Sequence, residues 1–258
     1  MATQLEGRRF SELLQIAKAT ATHAGAKLRE IRREGQEQYS FDSTWPREIK
    51  AKADEVIEDI LINKLVSTGL PILSEEVGEV GSYNEEGLRF IIDPIDGTAN
   101  FVRGVGDSSI SIALFEKEKP LFGVLYLFPK GQLAWGGPSI GSYIDNRQIL
   151  VSTQIKKSEA VLCTGIPARL DLTNQITKEI FLEAMLEFSK VRMLGAASIS
   201  LLHVAKGSAD CYSEQDVMIW DVAAGLAILA GAGGAYSLSP GSHPNSCSVI
   251  AQNGCLSP

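Results

Sequence analysis

No two of the four cysteines, Cys163, Cys211, Cys247 and Cys255, have C-x-x-C spacing. That excludes a cysteine zinc knuckle and a dithiol redox couple, and leaves reduced thiols as the plain reading. Long runs of lysine and arginine are also missing. With a formal net charge of −7, nucleic acid is excluded as the primary partner. Apolar runs are short: the longest towards the C-terminus, residues 222–232, is too brief to span a bilayer. The opening Met1-Ala2-Thr3-Gln4-Leu5-Glu6 lacks the apolar stretch of a secretory leader, so a cytoplasmic protein with no membrane partner is expected. His23, His203 and His243 fall in no motif and read as structural or surface residues. Neither an internal repeat nor a flexible linker interrupts the chain. What remains is 258 residues, 45% hydrophobic and 21% charged, enough for a large core in one domain or two closely packed ones.

Apolar spacing predicts a long amphipathic helix from Phe10 to Ile31, a loop containing Trp45-Pro46, and a second helix over 53–65 stopped by Gly69 and Pro71. Strand patterns dominate the middle, at 71–73, 90–92, 110–114, 121–128, 132–135, 142–145 and 148–152. From about residue 153 the pattern changes. Strands at 161–166, 191–194, 209–213, 235–238 and 248–251 alternate with helices at 177–189, 197–206 and 217–232. An α/β second half follows. The expected division is 1–152, carrying one acidic motif, and 153–258, carrying another, packed as one unit.

The most informative segment is Asp93-Pro94-Ile95-Asp96-Gly97-Thr98-Ala99, after the apolar run Phe90-Ile91-Ile92. A strand end is where open α/β folds place ligands. Asp93 and Asp96 can converge there on one hard cation. Gly97 lets the chain turn, and the following N–H groups can point at an anion. Metal plus anion suggests a bound phosphate. Two other acidic positions are open in meaning. Glu75-Glu76 reads as a solvated turn or as ligands, and Asp221 as a helix-capping acid or as a ligand.

Resemblance joins them. The string from Asp93 to Phe101 looks like the first signature of the inositol monophosphatase family, and Trp220-Asp221-Val222-Ala223-Ala224-Gly225 like its second. Ser74-Glu75-Glu76 resembles the family's Gly-Glu-Glu segment, and similarity runs from the N-terminal helices to Ser248-Val249-Ile250-Ala251. The resemblance implies an α/β fold, a layered αβαβα sandwich of the inositol monophosphatase and fructose-1,6-bisphosphatase type. It implies a Mg²⁺-dependent, lithium-sensitive phosphomonoesterase with two or three ions, acting on inositol monophosphate or a related polyol or sugar phosphate, and a homodimer. Carried over by position, Glu75, Asp93 and the Ile95 carbonyl hold the first ion, and Asp93, Asp96 and Asp221 the second. Gly97 and Thr98 supply phosphate-binding amides. Thr98, paired with Asp54, positions the attacking water. Gly195, Ala196, Ala197 and Glu214 face the leaving-group alcohol, with Glu214 accepting from vicinal hydroxyls.

The chain departs from the family pattern in four places. The residues before Asp54 are Ile49-Lys50-Ala51-Lys52-Ala53, where a Val-Thr-x-x-Asp pattern is usual, so Asp54 also reads as a first-turn helix acid. Ala196 replaces a frequent Ser or Thr. Arg103 stands where histidine is common, either as a solvent-facing residue or as a cation for a second phosphate. The chain ends at Pro258, where many relatives add a helix. Histidinol phosphate, fructose 1,6-bisphosphate and adenosine 3′,5′-bisphosphate remain alternative substrates, and a non-catalytic interaction protein remains the alternative class. Crowded carboxylates should have raised pKa values without metal, and Asp96→Asn is expected to spare the fold and remove most activity.

Overall fold

A computed structural model describes residues 2–35, 38–41, 49–82, 87–168, 170 and 173–257. The expected Trp45-Pro46 loop lies outside them. The chain opens with helix α1 (Ala2–Arg33), then strands β1 (Tyr39–Phe41) and β2 (Ile49–Ala51) and helix α2 (Lys52–Leu65). Strands β3 (Ile72–Ser74), β4 (Gly78–Val80) and β5 (Leu88–Asp96) lead to the short helix α3 (Thr98–Arg103). Next come β6 (Ser108–Glu116), β7 (Lys119–Phe128), β8 (Gln132–Gly137), β9 (Gly141–Ile144) and β10 (Arg147–Gln148). The later part holds β11 (Val161–Thr164), α4 (Gln175–Leu186), β12 (Lys190–Met193), α5 (Ala197–Ala205), β13 (Cys211–Met218), α6 (Ile219–Gly231), β14 (Ala235–Pro240) and β15 (Ser246–Gln252).

The first sheet runs β10-β9-β8-β7-β6-β5-β3-β4 and is antiparallel except where β3 lies parallel to β5. The second runs β12-β11-β13-β15-β14, parallel on one side and antiparallel on the other. Side chains alternate across the first sheet. Phe90, Ile92, Phe122, Val124 and Tyr126 pack beneath α1 and α2. Ile91, Leu125 and Leu127 face the opposite way, onto α5 and α6. Those two helices are apolar almost all round because both of their faces are covered: α6 touches β5 to β9 on one side and β13 to β15 on the other. The layers are therefore helices, sheet, helices and sheet, with α4 outermost, and the fold is the layered α/β sandwich. Gly123 permits the closeness of the central layers, since a Cβ there would meet the Ala224 carbonyl oxygen at 2.2 Å.

Several local expectations are corrected. The expected strand over 148–152 shrinks to Arg147–Gln148. The strand expected to end at Ser213 continues to Met218, so the last helix starts at Ile219. Irregular pairing between Glu214 and Val217, with Asp216 at φ 56°, breaks the alternation that would have announced the extension. Strand β5 likewise continues past Ile92 through Asp96, with its register shifting between Asp93 and Asp96.

Candidate active site

The irregularity in β5 aims both aspartates the same way. Without it, residues three apart on a strand would point to opposite faces. Asp93 and Asp96 open instead into a cleft of about 240 Å³ between the two sheets. Glu75, Ile95, Gly97, Thr98, Gly195, Ala196, Ala197, Glu214 and Asp221 line the same cleft. These residues come from five separate stretches of sequence, and the fold brings them together. Asp54 does not line it but stands behind Thr98, its Oδ1 3.5 Å from the threonine hydroxyl, which donates to the Ile95 carbonyl at 2.9 Å. Asp54 also caps α2, accepting from the Ala51 N–H at 2.8 Å, so both readings of this residue have a geometric basis. Arg103 is exposed and absent from the lining. Glu76, beside Glu75, takes the Lys50 ammonium at 2.8 Å and lies outside the lining.

Helix starts supply the positive partners. Asp96 sits at the N-terminus of α5, accepting from the Ser198 N–H at 2.7 Å, the Ala197 N–H at 3.2 Å and the Ser198 hydroxyl. Asp221 occupies the first turn of α6. An acid at either place is favoured by the unpaired amides and the helix dipole. Gly97 makes the turn into α3 with φ 86°. A Cβ there would stand 2.9 Å from the Ala196 Cβ and 3.2 Å from the Gly195 carbonyl oxygen. Gly97→Ala is therefore expected to destabilise the protein by about 1–3 kcal/mol, measured by urea unfolding; an unchanged midpoint would refute the strain.

Six carboxylates line the cleft, and among the described residues no lysine, arginine or histidine does. Burial pushes the Glu75 and Asp93 carboxyls well above the usual range, and their negative neighbours add to it. Asp93 donates a hydrogen bond to Glu75, so the pair retains a proton. Burial also raises Asp96 to about 6, against the opposing pull of Ser198 and Ala197. Asp54 and Glu214 are each raised to about 7, again chiefly by burial. Glu214 accepts from the buried Tyr212 hydroxyl at 2.8 Å.

Several residues of this constellation escaped the sequence reading, among them the cleft-lining Asp216 and, behind Glu214, Tyr212; two more show why. Ser198 looks like an ordinary small helix residue; the signal for it was its place in a helix first turn directly after Gly195-Ala196-Ala197. Glu58 is buried on α2 and accepts from the Ser74 hydroxyl and from the Glu76 and Val77 N–H groups. It looked like one more polar position of an amphipathic helix.

Comparison with known proteins fits this arrangement to a family. Residues 10–256 match the inositol monophosphatase family. The chain belongs to that family. A fructose-1,6-bisphosphatase/inositol-1-monophosphatase from Aquifex aeolicus is 31% identical over 233 residues, covering 89% of this chain and 86% of the relative. The Nus factor SuhB of Xylella fastidiosa is 30% identical over 78% of this chain and 75% of its own length. Among solved structures, the extragenic suppressor protein suhB of Bartonella henselae superposes with a TM-score of 0.81 at 30% identity, with 95% of each chain covered. As an inositol monophosphatase family member the protein is a phosphatase, a hydrolase of phosphate esters, in a family that is generally Mg²⁺-dependent.

The donor set suits such an ion in kind. Carboxylate and carbonyl oxygens are what a hard cation takes, and among the described residues no basic side chain in the lining offsets the cleft's negative charge. Among the described residues, no three acidic, histidine or cysteine side chains are already gathered into a cation cage. Asp96 faces the start of α5 and Asp93 shares its proton with Glu75; the acids satisfy themselves with protein donors as placed.

Proposed function

We propose that the protein is a Mg²⁺-dependent phosphomonoesterase acting on inositol monophosphate or a related polyol or sugar phosphate. The observation that carries this reading is the cleft that joins Glu75, Asp93, Asp96 and Asp221 to the turn into α3. In this reading Glu75, Asp93 and the Ile95 carbonyl hold one Mg²⁺, and Asp93, Asp96 and Asp221 a second. Bound there, the ions supply Lewis-acid polarisation of the phosphoryl oxygens and a water made more acidic.

The chain's own groups do the rest. The Gly97 and Thr98 amides receive the phosphate at the turn into α3. The Thr98 hydroxyl, fixed between the Ile95 carbonyl and Asp54, offers a lone pair to the attacking water and holds it in line. The water's proton would pass to the Thr98 oxygen as the threonine's own proton, turned from the Ile95 carbonyl to Asp54 Oδ1, passes to Asp54, whose carboxyl, raised to about 7, is suited to hold it. On the alcohol side Glu214 accepts from hydroxyls of the substrate, with Tyr212 behind it fixing its orientation. Gly195, Ala196 and Ala197 form the adjoining wall. We read the chain as a homodimer, to be checked by sedimentation at micromolar concentration, where only monomer would contradict it. Three buried unpaired thiols, Cys163, Cys211 and Cys247, fit a reducing cytoplasmic setting.

The decisive experiment is phosphate release from a panel of esters with Mg²⁺, with chelator and with added Li⁺. Inositol 1-phosphate is expected to be hydrolysed in Mg²⁺ and not in chelator, with inhibition by Li⁺. Much faster turnover of fructose 1,6-bisphosphate, histidinol phosphate or adenosine 3′,5′-bisphosphate would overturn the substrate assignment. The similarity to a Nus factor favours one second reading, an interaction protein that keeps the fold. Mg²⁺ binding without release from any ester would establish it over the enzyme.

A further inference from the structure

Glu58 has no part in the roles above, yet it is a buried carboxylate, 3% exposed, on the same helix as Asp54. Positions i and i+4 share a helix face, so α2 presents two acids in one direction. Asp54 reaches Thr98, and Glu58 reaches the turn after β3. One oxygen of Glu58 accepts from the Ser74 hydroxyl, from the Glu76 N–H at 3.1 Å and from the Val77 N–H at 3.2 Å. These bonds pin the backbone on both sides of Glu75. Lys50 holds the neighbouring Glu76 side chain at 2.8 Å, which leaves Glu75 as the one of the pair that enters the cleft.

We infer that Glu58 is a positioning residue, a clamp from α2 on the turn of residues 74–77 that keeps Glu75 against Asp93. The inference rests on the proposed function for its consequence, metal affinity, but not for the clamp itself. Charge-assisted bonds to a carboxylate are the strong ones, and loss of partners that orient metal ligands typically weakens binding about 10–100-fold.

The test uses full-length Glu58→Ala, Glu58→Gln and Ser74→Ala beside the wild type. Hydrogen exchange in chelator reads the clamp without any ion. In Glu58→Ala the Glu76 and Val77 amides are expected to exchange at least about tenfold faster; unchanged protection would overturn the inference. Mg²⁺ titration by calorimetry reads the consequence: a Kd about tenfold or more weaker in Glu58→Ala. In Glu58→Gln, whose carbonyl still accepts these bonds, the Kd is expected near wild type. KM at saturating Mg²⁺ should change far less than the Mg²⁺ requirement, a split that a general loss of structure would not give. Equal Mg²⁺ affinity in wild type and Glu58→Ala would overturn the inference. Absence of Mg²⁺ binding in the wild type would instead overturn the proposed function, while exchange still decides the clamp. Should Glu58→Ala fail to fold, Ser74→Ala, which removes one bond, is expected to speed exchange at Glu76 and Val77 severalfold, and no change there would count against the clamp.

Discussion

Asp93→Asn is expected to fold normally, to lose its response to Mg²⁺, and to turn over phosphate esters about 10³-fold more slowly. The geometry makes this the cleanest substitution in the cleft. Asp93 Oδ1 accepts from the Ile95 N–H at 2.8 Å, and the Asp93 carboxyl is hydrogen-bonded to Glu75. An asparagine reproduces both contacts, its carbonyl accepting from Ile95 and its amide donating to Glu75. In chelator it mimics the protonated wild type, so its melting temperature should equal or exceed that of the wild type. What it cannot do is supply the anionic carboxylate that the proposed site would ask of this position. Wild-type protein at a hundred times Kd gains about 2.7 kcal/mol from the ion, a rise of about 5–10 °C in Tm for a chain of this size; the variant should show none. Loss of Lewis-acid help worth several kcal/mol gives the rate effect, at about 1.4 kcal/mol per tenfold. Near-wild-type turnover, or a retained Mg²⁺ shift, would remove Asp93 from the assignment. Asp96→Asn aims at the same chemistry but is less clean than the sequence suggested. Each carboxylate oxygen accepts a different N–H, Oδ1 that of Ala197 and Oδ2 that of Ser198, so the amide NH2 would confront one of them in either orientation, and lost activity there would be mixed with strain.

The contrast between these two aspartates shows what was legible beforehand. Both were visible as a string, because Asp-Pro-x-Asp-Gly-Thr is specific and the chemistry it serves needs those side chains at that spacing. Their partners were not. Ser198 donates through a backbone amide and a hydroxyl that any serine carries, and only the meeting of β5 with α5 gives it meaning. Glu58 satisfies the polar spacing of α2 on paper and faces inward in the fold. The main helices and long strands followed from periodicity, since burial on one or two faces leaves a repeat of 3.6 or 2. The three-residue strands β1, β2 and β4 are too short to show any period. Strand β13 was cut short because its irregularity at Glu214 to Val217 places side chains out of step. That same irregularity lies beside Glu214, Asp216 and Val217 in the cleft lining, so the pattern failed where the site is built.

Raising the pH from about 5 to about 8 in chelator is expected to lower the melting temperature by about 10 °C, the reverse of ordinary acid lability. In the unfolded chain Asp and Glu carboxyls lose their protons near pH 4. In the folded protein Asp96 keeps its proton to about 6 and Asp54 and Glu214 to about 7, because burial disfavours the charged form. Between those limits the native state binds more protons than the unfolded one, so stability falls as pH rises through the window. Each fully responding group contributes about 1.4 kcal/mol per pH unit, so one unit for Asp96 and two each for Asp54 and Glu214 set a ceiling of about 7 kcal/mol; a loss of about 4 kcal/mol, little over half of it, corresponds to about 10 °C at this size. In the proposed site Mg²⁺ would take the place of protons at Asp96 and its acidic neighbours. It should shrink the fall, and its binding should release protons, seen calorimetrically as an apparent enthalpy that depends on the buffer. Glu214 lies outside the proposed ligand set, so Glu214→Gln separates the contributions: it should flatten part of the chelator profile and leave proton release unchanged. A melting temperature that stays level or climbs from pH 5 to 8 in chelator would show that the cleft does not hold its acids protonated, and the charge argument for a bound cation would fall with it.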